Sequence, residues 1–133
     1  MHSGSCLCGA VRYQISTPLG EVYFCHCRQC RKAQGTSAVA SVPTPRASFV
    51  LLAGHEALRA YRSSPHKQRW FCSHCGSAIY SEVDASATLR LRAGTLDDPI
   101  TLTPMAHIFV AELPAWDAIH DALPQFPGRE PGR

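Results

Sequence analysis

The chemistry available to this sequence is dominated by seven cysteines in three groups: Cys6-x-Cys8, Cys25-x-Cys27-x-x-Cys30 and Cys72-x-x-Cys75. On an extended strand residues i and i+2 point to one face, so each C-x-C pair can aim two sulfurs at one point. Cys72-Ser73-His74-Cys75-Gly76 has the form of a metal knuckle, a tight turn presenting both sulfurs, with Gly76 free to take a positive φ. Structural zinc takes four ligands in a tetrahedron, and catalytic zinc keeps three with one position open. Seven divides naturally as four and three. Cys6, Cys8, Cys72 and Cys75 are expected to form a closed site tying the N-terminal strand to the distant knuckle. Cys25, Cys27 and Cys30 are expected to form an open tripod, two sulfurs from a strand end and the third one turn into the following helix. Zinc at two ions per chain follows. Helix N-terminal amides and the nearby Arg28, Arg31 and Lys32 would favour thiolate in the tripod. Three alternatives stay open: a redox pair at Cys72 and Cys75, inert buried thiols at Cys6 and Cys8, and a tripod closed by a fixed fourth side chain.

The other candidates are weaker. His26 lies between two tripod ligands, so on a strand it faces away from them. His74 sits inside the knuckle and is expected to face solvent. His107, in Met-Ala-His-Ile-Phe-Val, lies on an expected strand and is the candidate to line the pocket or manage a proton; a satisfied core histidine is the plainer reading. Arg62 and Arg69 flank the segment leading to the knuckle and could fork onto a substrate carboxylate. Trp116 is expected to anchor a C-terminal helix in the core.

The elements that must position these residues are short. Residues 4–15 alternate like one strand and Val22–Cys27 like a second, and Arg28–Gly35 suits one or two helical turns with a glycine stop. Short β-like runs follow over Ser37–Val42, Ser48–Leu52, Leu58–Arg62, Gln68–Phe71, Ser77–Val83, Thr88–Ala93 and Met105–Leu113. Pro114–Leu123 begins with proline and spaces Trp116, Ile119 and Leu123 as a short helix would. The expected class is mainly β with one or two short helices. One domain is expected over 1–124, with a flexible C-terminal tail over 125–133.

Composition narrows the function. The chain has 133 residues, 45% of them hydrophobic and 17% charged, with a net charge of +3. That is a globular chain with room for a core. Its longest apolar run, Phe49–Ala53, is far short of the roughly 20 residues that span a bilayer, and no signal peptide is visible, so a cytoplasmic protein with no membrane partner is expected. An odd cysteine count cannot close a disulfide set, which again favours metal binding. The basic residues form no run, which disfavours nucleic acid as a partner.

Gly4-Ser-Cys6-Leu-Cys8-Gly-Ala-Val-Arg-Tyr13, Cys25-His-Cys27-Arg-Gln-Cys30-Arg-Lys-Ala-Gln-Gly35 and Phe71-Cys72-Ser-His-Cys75-Gly-Ser77 together resemble the glutathione-dependent formaldehyde-activating enzyme family, which includes centromere protein V. Ala93-Gly-Thr-Leu96, Ala106-His107-Ile108 and Pro114-Ala-Trp116 are similar to that family's downstream signals. The resemblance implies a β-tent of small antiparallel sheets around a structural zinc. It places the structural ligands at Cys6, Cys8, Cys72 and Cys75, and those of a second zinc at Cys25, Cys27 and Cys30. It implies a carbon–sulfur lyase that handles the adduct of a small thiol, such as glutathione, and a small aldehyde. On that reading Arg28, Arg31 and Lys32 would hold the thiol substrate's carboxylates, and His107 would serve the catalytic site. A non-catalytic zinc domain that binds a protein or a small thiol is the alternative.

Overall fold

The computed structural model describes residues 1–132. The described residues form ten short strands, one α-helix and three 3₁₀ turns, in keeping with a mainly β class. Strands β1 (His2–Ser5), β2 (Arg12–Ile15) and β5 (Phe49–Ala53) make a small sheet in the order β1-β2-β5. The second sheet contains β3 (Glu21–Cys25), β4 (Val39–Pro45), β6 (Leu58–Ser64), β7 (Lys67–Cys72), β8 (Ala78–Val83), β9 (Thr88–Arg92) and β10 (Thr103–Ile108). Their order across it is β10-β3-β4-β9-β8-β7-β6. Neighbours pair antiparallel except β10 and β3, which run parallel. A parallel pair needs a long crossover, and here most of the chain lies between the two strands.

Helix α1 (Arg28–Gln34) is short and well punctuated. Cys27 caps its start, Sγ accepting from the Cys30 N–H at 3.2 Å. Gly35 closes it in the left-handed conformation, its N–H returning to the Arg31 carbonyl.

Two sequence expectations are corrected. Residues 4–15 are not one strand but a hairpin, β1 and β2, with Cys6 and Cys8 in the connecting turn. The alternation there was carried by cysteine and Leu7, and Leu7 is 87% exposed. Pro114–Leu123 forms turns without a helix, and Trp116 is 70% exposed rather than a core anchor. Ten residues with only three large apolar side chains, set among Asp117, His120 and Asp121, bury too little to stabilise so short a helix.

Two hydrophobic clusters organise the interior. The larger gathers Val11, Tyr13, Ile15, Val42, Ile79, Leu89 and Leu91, and includes Cys6 and Cys72. The smaller gathers Tyr23, Val39, Ala106 and Ile108 around Cys25 and Cys30. Each cysteine group therefore belongs to its own cluster.

Within the segment 125–133, expected from the sequence to be a flexible tail, residues up to Glu130 make defined contacts. The Phe126 N–H donates to the His107 carbonyl at 2.9 Å, and the Phe109 N–H to the Gly128 carbonyl at 2.9 Å. Glu130 is buried and paired with Arg90. Residue 133 lies outside the described residues.

Gly54 shows how tightly the hairpin turn is seated. It has φ +89°, and a Cβ there would lie 2.5 Å from the Ala10 carbonyl oxygen and 2.7 Å from the Val11 Cα. Both neighbours are backbone of the segment leading out of the Cys6–Cys8 turn, so neither can swing away. Gly54→Ala is therefore expected to destabilise the fold by about 2–4 kcal/mol, combining left-handed strain with overpacking. Thermal melts of the two proteins check this.

Candidate metal centre

Two matched turns bring the first four sulfurs together. In the hairpin turn the Gly9 N–H donates to the Cys6 carbonyl at 3.1 Å; in the knuckle the Gly76 N–H donates to the Cys72 carbonyl at 2.7 Å. Gly9 and Gly76 share the same φ of +81°. That conformation reverses the chain right after the second cysteine of each pair, and it costs a glycine nothing. The turns dock through the Leu7 N–H, which donates to the Ser77 Oγ at 2.9 Å.

The four sulfurs of Cys6, Cys8, Cys72 and Cys75 lie within 4.8 Å of one another and could hold a metal ion. Cys6 and Cys8 Sγ are 3.6 Å apart, and Cys8 and Cys72 Sγ 3.9 Å. A tetrahedron with metal–sulfur bonds of about 2.3 Å has edges of roughly 3.8 Å, so these separations suit zinc without rearrangement. The backbone already favours charge on the sulfurs. The Val11 N–H donates to Cys6 Sγ at 3.2 Å. Hydrogen bonds from the Ser77 hydroxyl and then from backbone N–H groups pull the Cys75 thiol down to about 5.

The second group is local. Cys25 ends β3, Cys27 caps α1 and Cys30 lies one turn inside it; their sulfurs also lie within 4.8 Å of one another. Among the described residues no fourth cysteine, histidine or carboxylate joins this group. Cys25 and Cys30 are buried and Cys27 is half-buried. Hydrogen bonds from the Cys25 and Cys27 thiols hold Cys30 well below the ordinary thiol range, and the charge of Lys67 and a hydrogen bond from Arg69 add to this. Cys25 is pushed up by the same crowding and by burial. Three soft donors that already stabilise thiolate suit zinc, as the first group does.

What faces the tripod is a basic row on the sheet. Lys67 and Arg69 on β7, and Arg90 and Arg92 on β9, are i, i+2 pairs, and each pair shares a face. The register sets Ser81 opposite both Arg69 and Arg90, and Ser41 opposite Arg92. Arg69 is buried; it donates to Cys30 Sγ at 3.5 Å, to Gln29 Oε1 at 3.5 Å and to Ser63 Oγ at 3.0 Å. Arg92 is 5% exposed, and its Nε has no partner among the described residues. Burial pulls Lys67 and Arg92 below their ordinary ranges, and the Cys30 thiolate opposes this for both.

The residues singled out from the sequence are placed unequally. Arg31 is engaged with backbone, its Nε donating to the His26 carbonyl and its NH2 to the Glu112 carbonyl. Arg28 and Lys32 are exposed on the helix. Arg62 pairs with Asp84 at 2.9 Å on the surface. His74 is exposed, as the knuckle predicts.

His26 is buried and turned away from the tripod, its Nε2 2.8 Å from His107 Nδ1. His107 Nε2 is 2.9 Å from Asp121 Oδ2. The hydrogens that satisfy both contacts sit on the Nε2 atoms: His26 donates to His107, and His107 donates to Asp121. Both His107 nitrogens are thus committed, and His26 Nδ1 is the buried atom without a partner. The sequence offered no sign of this chain, since His26 and Asp121 lie in unrelated segments. His107→Ala leaves both buried His26 nitrogens unmatched and is expected to cost about 1–3 kcal/mol. A lower melting temperature with unchanged metal content checks it.

The family model for glutathione-dependent formaldehyde-activating enzyme matches residues 1–112. A Halomonas elongata protein, provisionally named a glutathione-dependent formaldehyde-activating enzyme, is 34% identical over 84 residues, covering 58% of this chain and 53% of its own. An uncharacterized lyase of Schizosaccharomyces pombe is 29% identical over 79 residues, covering 59% of this chain and 56% of its own. The chain spans about half the length of these curated relatives. A crystal structure of a Rhodobacter sphaeroides protein shares the fold, with a TM-score of 0.61 at 19% identity, over 76% of this chain and 99% of that one. No helix among the described residues is long and apolar enough to cross a membrane.

Proposed function

The chain belongs to the glutathione-dependent formaldehyde-activating enzyme family, and from that premise we propose that it forms and cleaves the adduct of a small thiol, such as glutathione, with a small aldehyde. In this reading Cys6, Cys8, Cys72 and Cys75 hold a structural zinc, and Cys25, Cys27 and Cys30 hold a second zinc at which the chemistry takes place. One observation carries it: the second group has three sulfurs and, among the described residues, no fourth side-chain donor. Zinc bound there would supply an open coordination position and lower the pKa of a thiol entering it.

The chain's own residues then have distinct tasks. Arg69 holds Cys30 Sγ and fixes the first turn of α1 against β7. The positive charges of Lys67, Arg69 and Arg92 favour thiolate over thiol beside them. In the addition, the thiolate sulfur bonds to the aldehyde carbon and the carbonyl oxygen takes up a proton; the reverse step breaks that carbon–sulfur bond and returns the proton. His107, hydrogen-bonded through both ring nitrogens, holds the His26 ring in place next to the tripod segment. Lys67, Arg69 and Arg92 lie against the tripod itself, whereas Arg28 and Lys32, both exposed on α1, are assigned in this reading to the outer part of a longer thiol such as glutathione.

Native mass spectrometry of freshly purified protein, with and without glutathione, tests the reading. Two zinc ions and one bound glutathione are expected. One tightly held zinc, or two with no thiol adduct, would replace it with a non-catalytic zinc module.

A further inference from the structure

Resting on that reading, we propose that Lys67 and Arg92 form a carboxylate subsite against the tripod, so that the preferred thiol carries a carboxylate close to its sulfur. The cations are built in rather than scattered. Arg92 is 5% exposed, with a buried Nε that finds no partner. Among the described residues no carboxylate pairs with Lys67 or Arg92, whereas Arg90, two residues from Arg92 on the same face, is matched by Glu130. Arg92 is buried and Lys67 half-buried, and with only the tripod sulfurs to oppose them these two neighbouring cations point to an anion that arrives from outside.

The space and the charge agree. A cavity of about 200 Å³, lined by Lys67, Ser81, Arg90 and Arg129, opens beside the basic row. Lys67 also lines a narrow recess of about 30 Å³ that reaches Cys25, Cys30 and Arg92. The recess has room for about one water or one small polar group. The outer cavity is smaller than the roughly 300–1,000 Å³ that encloses a drug-sized ligand. A short thiol acid fits; a longer one would leave its remainder in solvent. Three thiolates and a divalent ion would carry one net negative charge, and the cationic side chains of Lys67, Arg69 and Arg92, with Arg129 at the edge of the cavity, outnumber it. That surplus of positive charge suits a ligand that brings a carboxylate as well as a thiolate. Glu130, paired with Arg90, shows a carboxylate already matched to the neighbouring member of the basic row.

Calorimetric titration of the zinc-loaded protein with mercaptoacetate and with 2-mercaptoethanol separates the carboxylate from the thiol. The wild type is expected to bind mercaptoacetate at least about tenfold more tightly. Lys67→Met, with its fold verified by thermal melt and metal content, is expected to reduce that ratio to about one; Arg92→Lys is the second variant should Lys67→Met fail to fold. Equal binding of the two thiols by the wild type, or a ratio that survives both substitutions, overturns the subsite and leaves the thiol site standing. If neither thiol binds, the functional reading fails, and acetate decides the subsite alone. Loss in Lys67→Met of an acetate-induced shift in the Arg92 Nε–H resonance supports it; no shift in the wild type overturns it.

Discussion

Cys72→Ser is expected to leave no soluble folded domain. Cys72 is fully buried in the larger cluster, its Sγ 3.9 Å from that of Cys8. The substitution changes one sulfur to oxygen and creates almost no cavity, so packing loss alone would be mild. What it removes is a ligand of a site that closes the chain from the hairpin turn to the knuckle. A structural zinc site of this kind contributes about 10–16 kcal/mol of binding free energy to folding. Domains of this size are stable by about 5–15 kcal/mol in total. Losing most of the first quantity exhausts the second. The Leu7–Ser77 contact would be lost as well, since it depends on the two turns being docked. Soluble yield, circular dichroism and zinc content measure the outcome. A variant that melts within a few degrees of the wild type would show that the four sulfurs do not hold the fold together. A strong chelator applied to the wild type is expected to reproduce the unfolding.

The parts of this architecture legible from the sequence are those written in local spacing or in counting. The tripod and its helix occupy one short segment, with Cys27 as cap and Gly35 as stop, and nothing distant is needed to place them. The partnership of Cys6 and Cys8 with Cys72 and Cys75 spans about half of the chain, yet it followed from dividing seven sulfurs into a closed and an open set. The hairpin turn was hidden because Cys6 and Cys8 imitate the apolar positions of a strand, while the turn itself is set by Gly9 at φ +81°. The basic row is hidden in the sequence for a related reason. Lys67-Gln-Arg69 and Arg90-Leu-Arg92 alternate as an outward strand face would, and only the order β4-β9-β8-β7 reveals that this face looks onto the tripod. The parallel pairing of β10 with β3, and with it the His26–His107 contact, depends on a crossover that no local pattern encodes.

Cys30→Ser is expected to give a folded protein that binds one zinc fewer and no glutathione. Its sulfur is as deeply placed as that of Cys72, being 4% exposed, so burial alone would predict similar damage. The difference lies in what each site closes. Cys25, Cys27 and Cys30 span a few residues that β3 and α1 already hold in place, with the Cys27 cap and the Gly35 stop intact. A clip across so short a loop restricts the unfolded chain little, whereas one joining Cys6 to Cys75 restricts it greatly. Removing the thiolate also strips Arg69 of its sulfur acceptor and Lys67 of its nearest negative charge. That leaves buried cations less compensated, at a cost of about 1–3 kcal/mol. The melting temperature should therefore fall measurably while cooperative unfolding survives, and zinc analysis should drop by one equivalent. Thiol binding should vanish altogether, because two sulfurs hold the ion too weakly to keep it in competition with solvent. Equal losses of stability from Cys30→Ser and Cys72→Ser would show that both groups serve the fold, and the open coordination position on which the proposed chemistry rests would lose its support.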